Sequence, residues 1–180
     1  MASAITHFVV GASLALPALR SKAVRRAMAP WSIPLIAGLF AVAPDLDTYL
    51  VRPFDVPRGS FFAHRGFFHS ALFLALFALT AAVIVARKGP WGSVAALALL
   101  WTSAAVTHPL LDMLTDGGPG VLLLYPVSSQ RLFFPWRPIR VSPLSVMQFF
   151  TRAGTILRSE LPFCAAALVI GVTGWIARRR

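Results

Sequence analysis

Long apolar stretches separated by short polar connections dominate the chain. The run over 67–86 has the roughly 20 residues that a helix needs to cross a hydrocarbon core of about 30 Å. The runs over 91–114 and 161–177 are comparable, although Pro109 interrupts the first. Two shorter runs, 4–19 and 31–43, predict helices that are inserted in part and packed against their neighbours. The pattern therefore predicts an all-α integral membrane protein, a bundle of about five membrane helices with two of them short.

The stretch between the fourth and fifth predicted spans, 117–160, is neither a clean span nor a polar loop. Its middle mixes arginines with aromatic residues, which is typical of a segment lying at the lipid headgroup layer. Residues 142–157 predict a further helix along that surface. We therefore treat 117–160 as an outer interfacial segment that precedes a C-terminal membrane helix over 161–177.

Composition supports the membrane assignment and excludes other classes. The chain is 57% hydrophobic with a mean hydropathy of +0.73, and only 13% of its residues are charged, against about 25% in soluble domains. The net charge of +11 does not indicate a nucleic-acid partner, because the basic residues are scattered among apolar runs and form no stripe. Cys164 is the only cysteine, so an internal disulfide and a thiolate metal site are both excluded.

The distribution of charge predicts an orientation. Nine basic residues occupy two connections and the C-terminus without any acidic residue beside them: Arg20, Lys22, Arg25, Arg26, Arg87, Lys88, Arg178, Arg179 and Arg180. All six acidic residues lie at or near the other connections. Since cytoplasmic loops carry the excess of Lys and Arg, we predict a cytoplasmic C-terminus and an N-terminus outside.

This topology brings all four histidines and three aspartates to the outer membrane face. They come from four different helices: His7, Asp45, Asp47, His64, His69, His108 and Asp112. Imidazole nitrogen and carboxylate oxygen together suit zinc first, with manganese, iron or magnesium as alternatives. Seven groups exceed the needs of one four-coordinate ion, so either two ions bind or some groups orient the ligands of one ion. Such an ion would lower the pKa of a bound water to about 7 and so supply hydroxide for hydrolysis.

Local spacing sets conditions on this site. His108 and Asp112 share a helix face if the helix continues through Pro109. An extended conformation after Pro44 would point both Asp45 and Asp47 the same way. His64 and His69 can share the site only if Gly66 breaks the helix or the helix begins near it.

Each of these residues, considered alone, also has a purely structural interpretation. A membrane histidine is often a packing residue, and an aspartate at a helix end is often a cap. Arg65 is either a ligand for an anionic substrate or an interfacial anchor. Asp55, Asp116 and Glu160 are expected to be ordinary surface or turn residues. Ser70 beside His69 is a weak candidate nucleophile, because its context lacks a nucleophile elbow.

Four motifs in order resemble the LexA-regulated, inner-membrane-associated metal-dependent hydrolases. They are Thr6-His7 with Gly11, Pro44-Asp45-Leu46-Asp47, His64-Arg65-Gly66-Phe67-Phe68-His69-Ser70 and His108-Pro109-Leu110-Leu111-Asp112. Gly120 to Pro126, followed by Ser128, Arg131 and Phe133, also looks like this family, so the resemblance covers about 1–140. Phe68 stands where relatives often carry a threonine. A more distant similarity to zinc-dependent phospholipase C points to phosphoester bonds.

The resemblance implies a hydrolase of the bacterial inner membrane that binds one or two divalent metal ions through the seven histidines and aspartates, with Arg65 at an anionic substrate. We expect one membrane domain, 1–180, with its metal-site core over 1–116 and its site facing the periplasm. A lipid or lipid-linked phosphoester is the expected substrate, and the bilayer is the expected partner. A metal transporter, a metal sensor and a scaffold without metal are the alternatives.

Overall fold

The computed structural model describes residues 1–51, 54–57, 59–143 and 145–178, and the regular secondary structure in these ranges is helical, with no β-strand. Seven α-helices follow one another in the described part of the chain: α1 (Ala4–Leu14), α2 (Lys22–Ala27), α3 (Ser32–Val42), α4 (Asp47–Val51), α5 (Ala71–Ala86), α6 (Trp91–Met113) and α7 (Val146–Ala177). Short 3-10 turns at Leu16–Arg20, Ala43–Leu46 and Phe67–His69 follow α1, link α3 to α4 and precede α5.

Small residues allow the helices of the bundle to approach one another closely. A Cβ at Gly11 on α1 would overlap the side chain of Ala41 on α3, so only glycine permits this α1–α3 contact. On α5, Ala78 and Ala82 are fully buried against α6. Trp101 of α6 fills the space beyond them and stacks on Phe40. The resulting core is apolar and lies away from the residues that carry the candidate chemistry.

The number of membrane spans is confirmed only in part. By length and composition alone, α6 and the stretch Met147–Ala177 could cross a membrane, and Ala4–Arg20 and Ala71–Ala86 are shorter apolar segments. The predicted span over 31–43 becomes α3, whose 11 residues extend about 16 Å, roughly half of a hydrocarbon core. The short helix α3 instead packs beside the residues that carry the candidate chemistry.

The C-terminal region differs from the two elements expected there. We predicted a surface helix over 142–157 and a separate span over 161–177, but α7 runs unbroken from Val146 to Ala177 with Pro162 inside it. A proline inside a helix removes one backbone hydrogen bond and need not end a helix held by its neighbours. Close packing of Gly171 against the Ser13 backbone of α1 holds this one in place.

The segment between α6 and α7 lies against the protein rather than free at a surface. Val121 and Ile139 are fully buried, and single bridges pair Val121 with Leu132 and Thr115 with Ile139. The Arg131 guanidinium donates to the carbonyls of Gly120, Gly59, Ser60 and Arg65. This segment therefore fastens the loop that carries His64 to the end of α6.

Candidate metal centre

The structure brings the seven predicted residues together at one end of the bundle. Their ligand atoms form three overlapping groups, and within each group the atoms lie no more than 4.8 Å apart. The groups are His7–His108–Asp112, Asp45–His69–His108 and Asp47–His64–His69. The first group lies on helices α1 and α6, and we call it the helix group. The last group lies on α4 and on the turns before α5, and we call it the loop group.

The helix group depends on α6 continuing through Pro109, as the spacing required. His108 and Asp112 therefore face the same way, with 3.9 Å between His108 Nε2 and Asp112 Oδ2. His7 stacks on the His108 ring at 3.6 Å and places its Nε2 3.5 Å from Asp112 Oδ1. His108 Nδ1 lies 2.8 Å from the Ala41 carbonyl. That contact leaves His108 Nε2 as the nitrogen turned to the centre, an arrangement typical of metal-binding histidines.

The loop group depends on a break at Gly66. A Cβ there would overlap the Phe61 carbonyl oxygen, and the chain then makes one 3-10 turn before α5 begins at Ala71. This break brings the His64 and His69 rings to 5.1 Å from each other. Asp47 lies between them, with Oδ1 3.0 Å from His64 Nδ1 and Oδ2 3.2 Å from His69 Nδ1.

Electrostatics favour metal-binding protonation states at Asp47 and His69. Burial would raise the pKa of the Asp47 carboxyl, but the neighbouring His64 and His69 rings outweigh it and lower the pKa below its ordinary value. Burial also lowers the pKa of His69 from its ordinary value. An ionised carboxylate beside a neutral imidazole is the donor pair that a divalent cation requires.

Asp45 connects the two groups. Its Oδ1 lies 3.2 Å from His108 Nε2 and 4.0 Å from His64 Nδ1. The extended conformation after Pro44, which was a condition for both carboxylates to point the same way, is not found, because Ala43–Leu46 is a 3-10 turn that leads directly into α4. Tight turning nevertheless directs both Asp45 and Asp47 inward, since α3 and α6 enclose the turn.

Unpartnered polar atoms test whether a metal fits these residues. Among the described residues, nine buried nitrogen and oxygen atoms of six of the seven predicted ligands make no hydrogen bond. Several approach a neighbour within 3.2–3.5 Å, but without the angle that a hydrogen bond needs. Leaving so many buried groups unsatisfied is costly. One or two divalent cations would take up the carboxylate oxygens and one ring nitrogen of each histidine, so the donor set fits a metal.

Arg65 has a different role from the anionic-substrate ligand predicted for it. Its side chain is fully buried, which also excludes an interfacial anchor. The guanidinium donates to Asp112 Oδ2 at 3.0 Å and to the Thr115 hydroxyl at 2.8 Å. The guanidinium also donates hydrogen bonds to the Gly117 and Pro119 carbonyls. These protein groups take up the guanidinium, so Arg65 holds Asp112 in place at the edge of the centre.

Glu160 was wrongly expected to be an ordinary surface or turn residue. It is 1% exposed and accepts hydrogen bonds from Ser3 N, Ser3 Oγ and Thr6 Oγ1 at 2.5, 2.6 and 2.7 Å. The sequence held one signal for this: a single acid beside a long apolar run, where ionisable groups tend to be functional. The predicted division of α7 into two helices placed Glu160 between them, at a helix end, where an acidic residue is expected to be an ordinary surface residue. Asp116, by contrast, is the turn residue expected, bonded to Arg140 and Val141.

Access to the centre is uneven. The His64 side chain is 18% exposed and that of Asp45 9%, whereas those of His7, His69, His108 and Asp112 are fully buried. Water and small solutes therefore reach the loop group first.

Comparison with known proteins places the chain in a family. The family model described as YdjM inner membrane protein matches residues 1–179. The chain belongs to this family. It is 34% identical to "Inner membrane protein YbcI" of Escherichia coli (strain K12) over 184 residues, covering both chains completely. No solved structure matches the chain. Membership confirms the predicted inner-membrane location, while neither the name of the family nor that of the relative states an activity.

Proposed function

We propose that this protein is a membrane-bound, metal-dependent hydrolase whose centre holds divalent metal, zinc first. The observation that carries the proposal is the set of nine buried, unpartnered donor atoms on six converging residues. In folded proteins, buried polar atoms such as these are normally hydrogen-bonded. Divalent metal held by these residues would take up the carboxylate oxygens and one nitrogen of each imidazole, and it would supply Lewis acidity and lower the pKa of a bound water.

Two ions account for the donors better than one. The helix group and the loop group share no residue, and each offers three donors from different elements. Zinc in a catalytic site commonly takes three protein ligands and leaves one position open. Asp45 lies between the groups and can contribute to either.

The chain's own residues have distinct tasks in this proposal. Asp112 is held by Arg65 and by the Ala2 amide, which donates at 2.8 Å. His108 is oriented through its contact with the Ala41 carbonyl. His64, the most exposed of the seven, is on the side from which a substrate enters.

The expected substrate is a lipid or lipid-linked phosphoester. The connections that carry Lys and Arg without any acidic residue, at 20–26 and 87–88, join the helix ends that lie away from the seven residues, so the positive-inside rule favours a centre on the periplasmic face. A substrate held in the outer leaflet reaches such a centre without leaving the membrane. The resemblance to LexA-regulated hydrolases and, more distantly, to phospholipase C favours phosphoester bonds and supports the same proposal.

Metal transport is the second candidate and is less well supported. A transport path needs polar groups along its length. Beyond the centre, the described core between α3, α5 and α6 consists of residues such as Ile33, Leu97 and Trp101. A scaffold that only locks the helices together is the third candidate and requires no metal.

Elemental analysis of detergent-purified protein separates these candidates. Wild type should contain one to two equivalents of zinc or another divalent metal. His64→Ala and Asp112→Ala should contain less, and Asp116→Ala, a carboxylate outside the centre, should match wild type. Equal metal in all four proteins would overturn the proposed metal centre. Release of phosphate or headgroup from phospholipid vesicles by the metal-loaded protein, lost in both centre variants, would support hydrolysis over transport.

A further inference from the structure

Glu160 joins α7 to the first turn of α1 through three hydrogen bonds. Ser3 N and Ser3 Oγ donate to its two carboxylate oxygens, and Thr6 Oγ1 donates to one of them. All three donors are uncharged groups of the same helical turn. A carboxylate accepts at up to four lone-pair positions and donates at none, so it matches this set of donors.

The same turn supplies two contacts to the metal centre. The Ala2 amide donates to Asp112 Oδ1 at 2.8 Å. The Ser3 carbonyl accepts the His7 amide at 3.1 Å, and His7 Nε2 lies 3.5 Å from Asp112 Oδ1. Glu160 therefore acts on the helix group through Ala2, Ser3 and His7, although it touches no predicted ligand itself.

Attaching α7 to the bundle does not require this carboxylate. Further along α7, Gly171 packs directly against the Ser13 backbone and Gly174 against Pro17. Ala167 and Val10 belong to one buried apolar cluster between the two helices. Burying a carboxylate costs free energy that an apolar residue at this position would avoid. The cost is consistent with a role beyond packing.

We propose that Glu160 is a positioning residue of the metal centre: it fixes the first turn of α1 so that the Ala2 amide and the His7 ring meet Asp112 in the geometry that binds metal. This inference rests on the proposed metal centre and extends it to α7.

Zinc titration of metal-free, detergent-purified full-length protein tests the proposal. Glu160→Ala should weaken zinc binding by about 10–100-fold, the usual effect of losing a residue that orients a ligand. Glu160→Gln keeps the shape and half of the accepting capacity and should recover most of that loss. Ser159→Ala is the matched control, because its hydroxyl accepts the Arg140 amide and donates to the Ile156 carbonyl instead of bonding to the turn. A zinc affinity of Glu160→Ala within about twofold of wild type would overturn the proposal, even if its thermal stability falls.

A second measurement needs no metal. His7 is fully buried, so diethyl pyrocarbonate should leave it unmodified in the metal-free wild type, as judged by mass spectrometry of its peptide. Glu160→Ala should increase His7 modification by at least about tenfold, with His64 as the internal reference, because releasing the turn opens it locally. If wild type binds no zinc, the proposed function fails, and His7 protection alone decides the role of Glu160. Unchanged His7 protection would overturn that role.

Thr6→Val covers the case in which Glu160→Ala does not fold. It is nearly isosteric and removes one of the three donors. We expect an intermediate loss, about 3–10-fold in zinc affinity, because two of the three hydrogen bonds to Glu160 remain and only part of the effect of about 10–100-fold is expected. Wild-type zinc affinity together with wild-type His7 protection in Thr6→Val would overturn the proposal.

Discussion

The helix group and the loop group contain similar donors on different supports. His7, His108 and Asp112 lie on α1 and α6 and are fully buried. Asp47, His64 and His69 lie on α4 and the turns before α5, and His64 reaches solvent. The helix group is also held from outside by Arg65 and the Ala2 amide. On the proposed function, the helix group would be the enclosed half that holds metal, and the loop group would be the accessible half where a substrate arrives.

Removing Asp112 should have the largest effect and should fall on the helix group. Asp112→Ala leaves the buried Arg65 without the ion-pair partner that it has among the described residues and should destabilise the protein by about 3–5 kcal/mol. Thermal unfolding in detergent and zinc analysis would measure both losses. A stable Asp112→Ala protein with full metal content would contradict the view that this half is the more strongly supported.

Single imidazole deletions compare the two groups directly. His7 belongs only to the helix group and His64 only to the loop group. Each alanine variant should lower zinc affinity by at least about 10–100-fold in its own group, since losing a ligand costs no less than losing its orienting partner. Added imidazole should restore zinc binding in His64→Ala, whose position is solvent-accessible, and not in the enclosed His7→Ala. Equal rescue in both would remove the distinction in access.

Gly66→Ala should disturb the loop group alone. Its Cβ would meet the carbonyl oxygens of Phe61 and Ala63, both backbone atoms, so the turn must shift at a cost of about 1–3 kcal/mol. Zinc at the loop group should weaken while the helix group keeps its ion. Gly92→Ala is the matched control: its Cβ would meet nothing within 4 Å, and it should stabilise α6 by about 0.5–1 kcal/mol. Similar stability changes in both variants would argue against a built-in break at Gly66.

The smallest effect is expected for Asp116→Ala, outside both groups. Asp116 pairs with the exposed Arg140 at 2.8 Å, and such surface pairs contribute about 0–1 kcal/mol. Unfolding should shift by no more than that, and zinc content should remain at the wild-type level. A loss of zinc here would show that the centre extends beyond the seven residues.

Several features of the site follow from local spacing and could be predicted. His108 and Asp112 share a face because four residues make about one helical turn, whatever the surroundings. Gly66 marks the break that lets His64 and His69 meet, because its backbone lies too close to Phe61 for any side chain. The 3-10 turn at Asp45 was not predictable from spacing, since enclosure by α3 and α6 decides it.

The sequence by itself determined the helical membrane class and the end of the bundle at which the seven donors collect. Both follow from the length of the apolar runs and the distribution of charge, because these act locally or through the bilayer. Only the tertiary structure decided the roles of Arg65 and Glu160 and the continuity of α7. Those roles depend on partners 47 to 157 residues away, and no local pattern records which distant group a buried charge will meet.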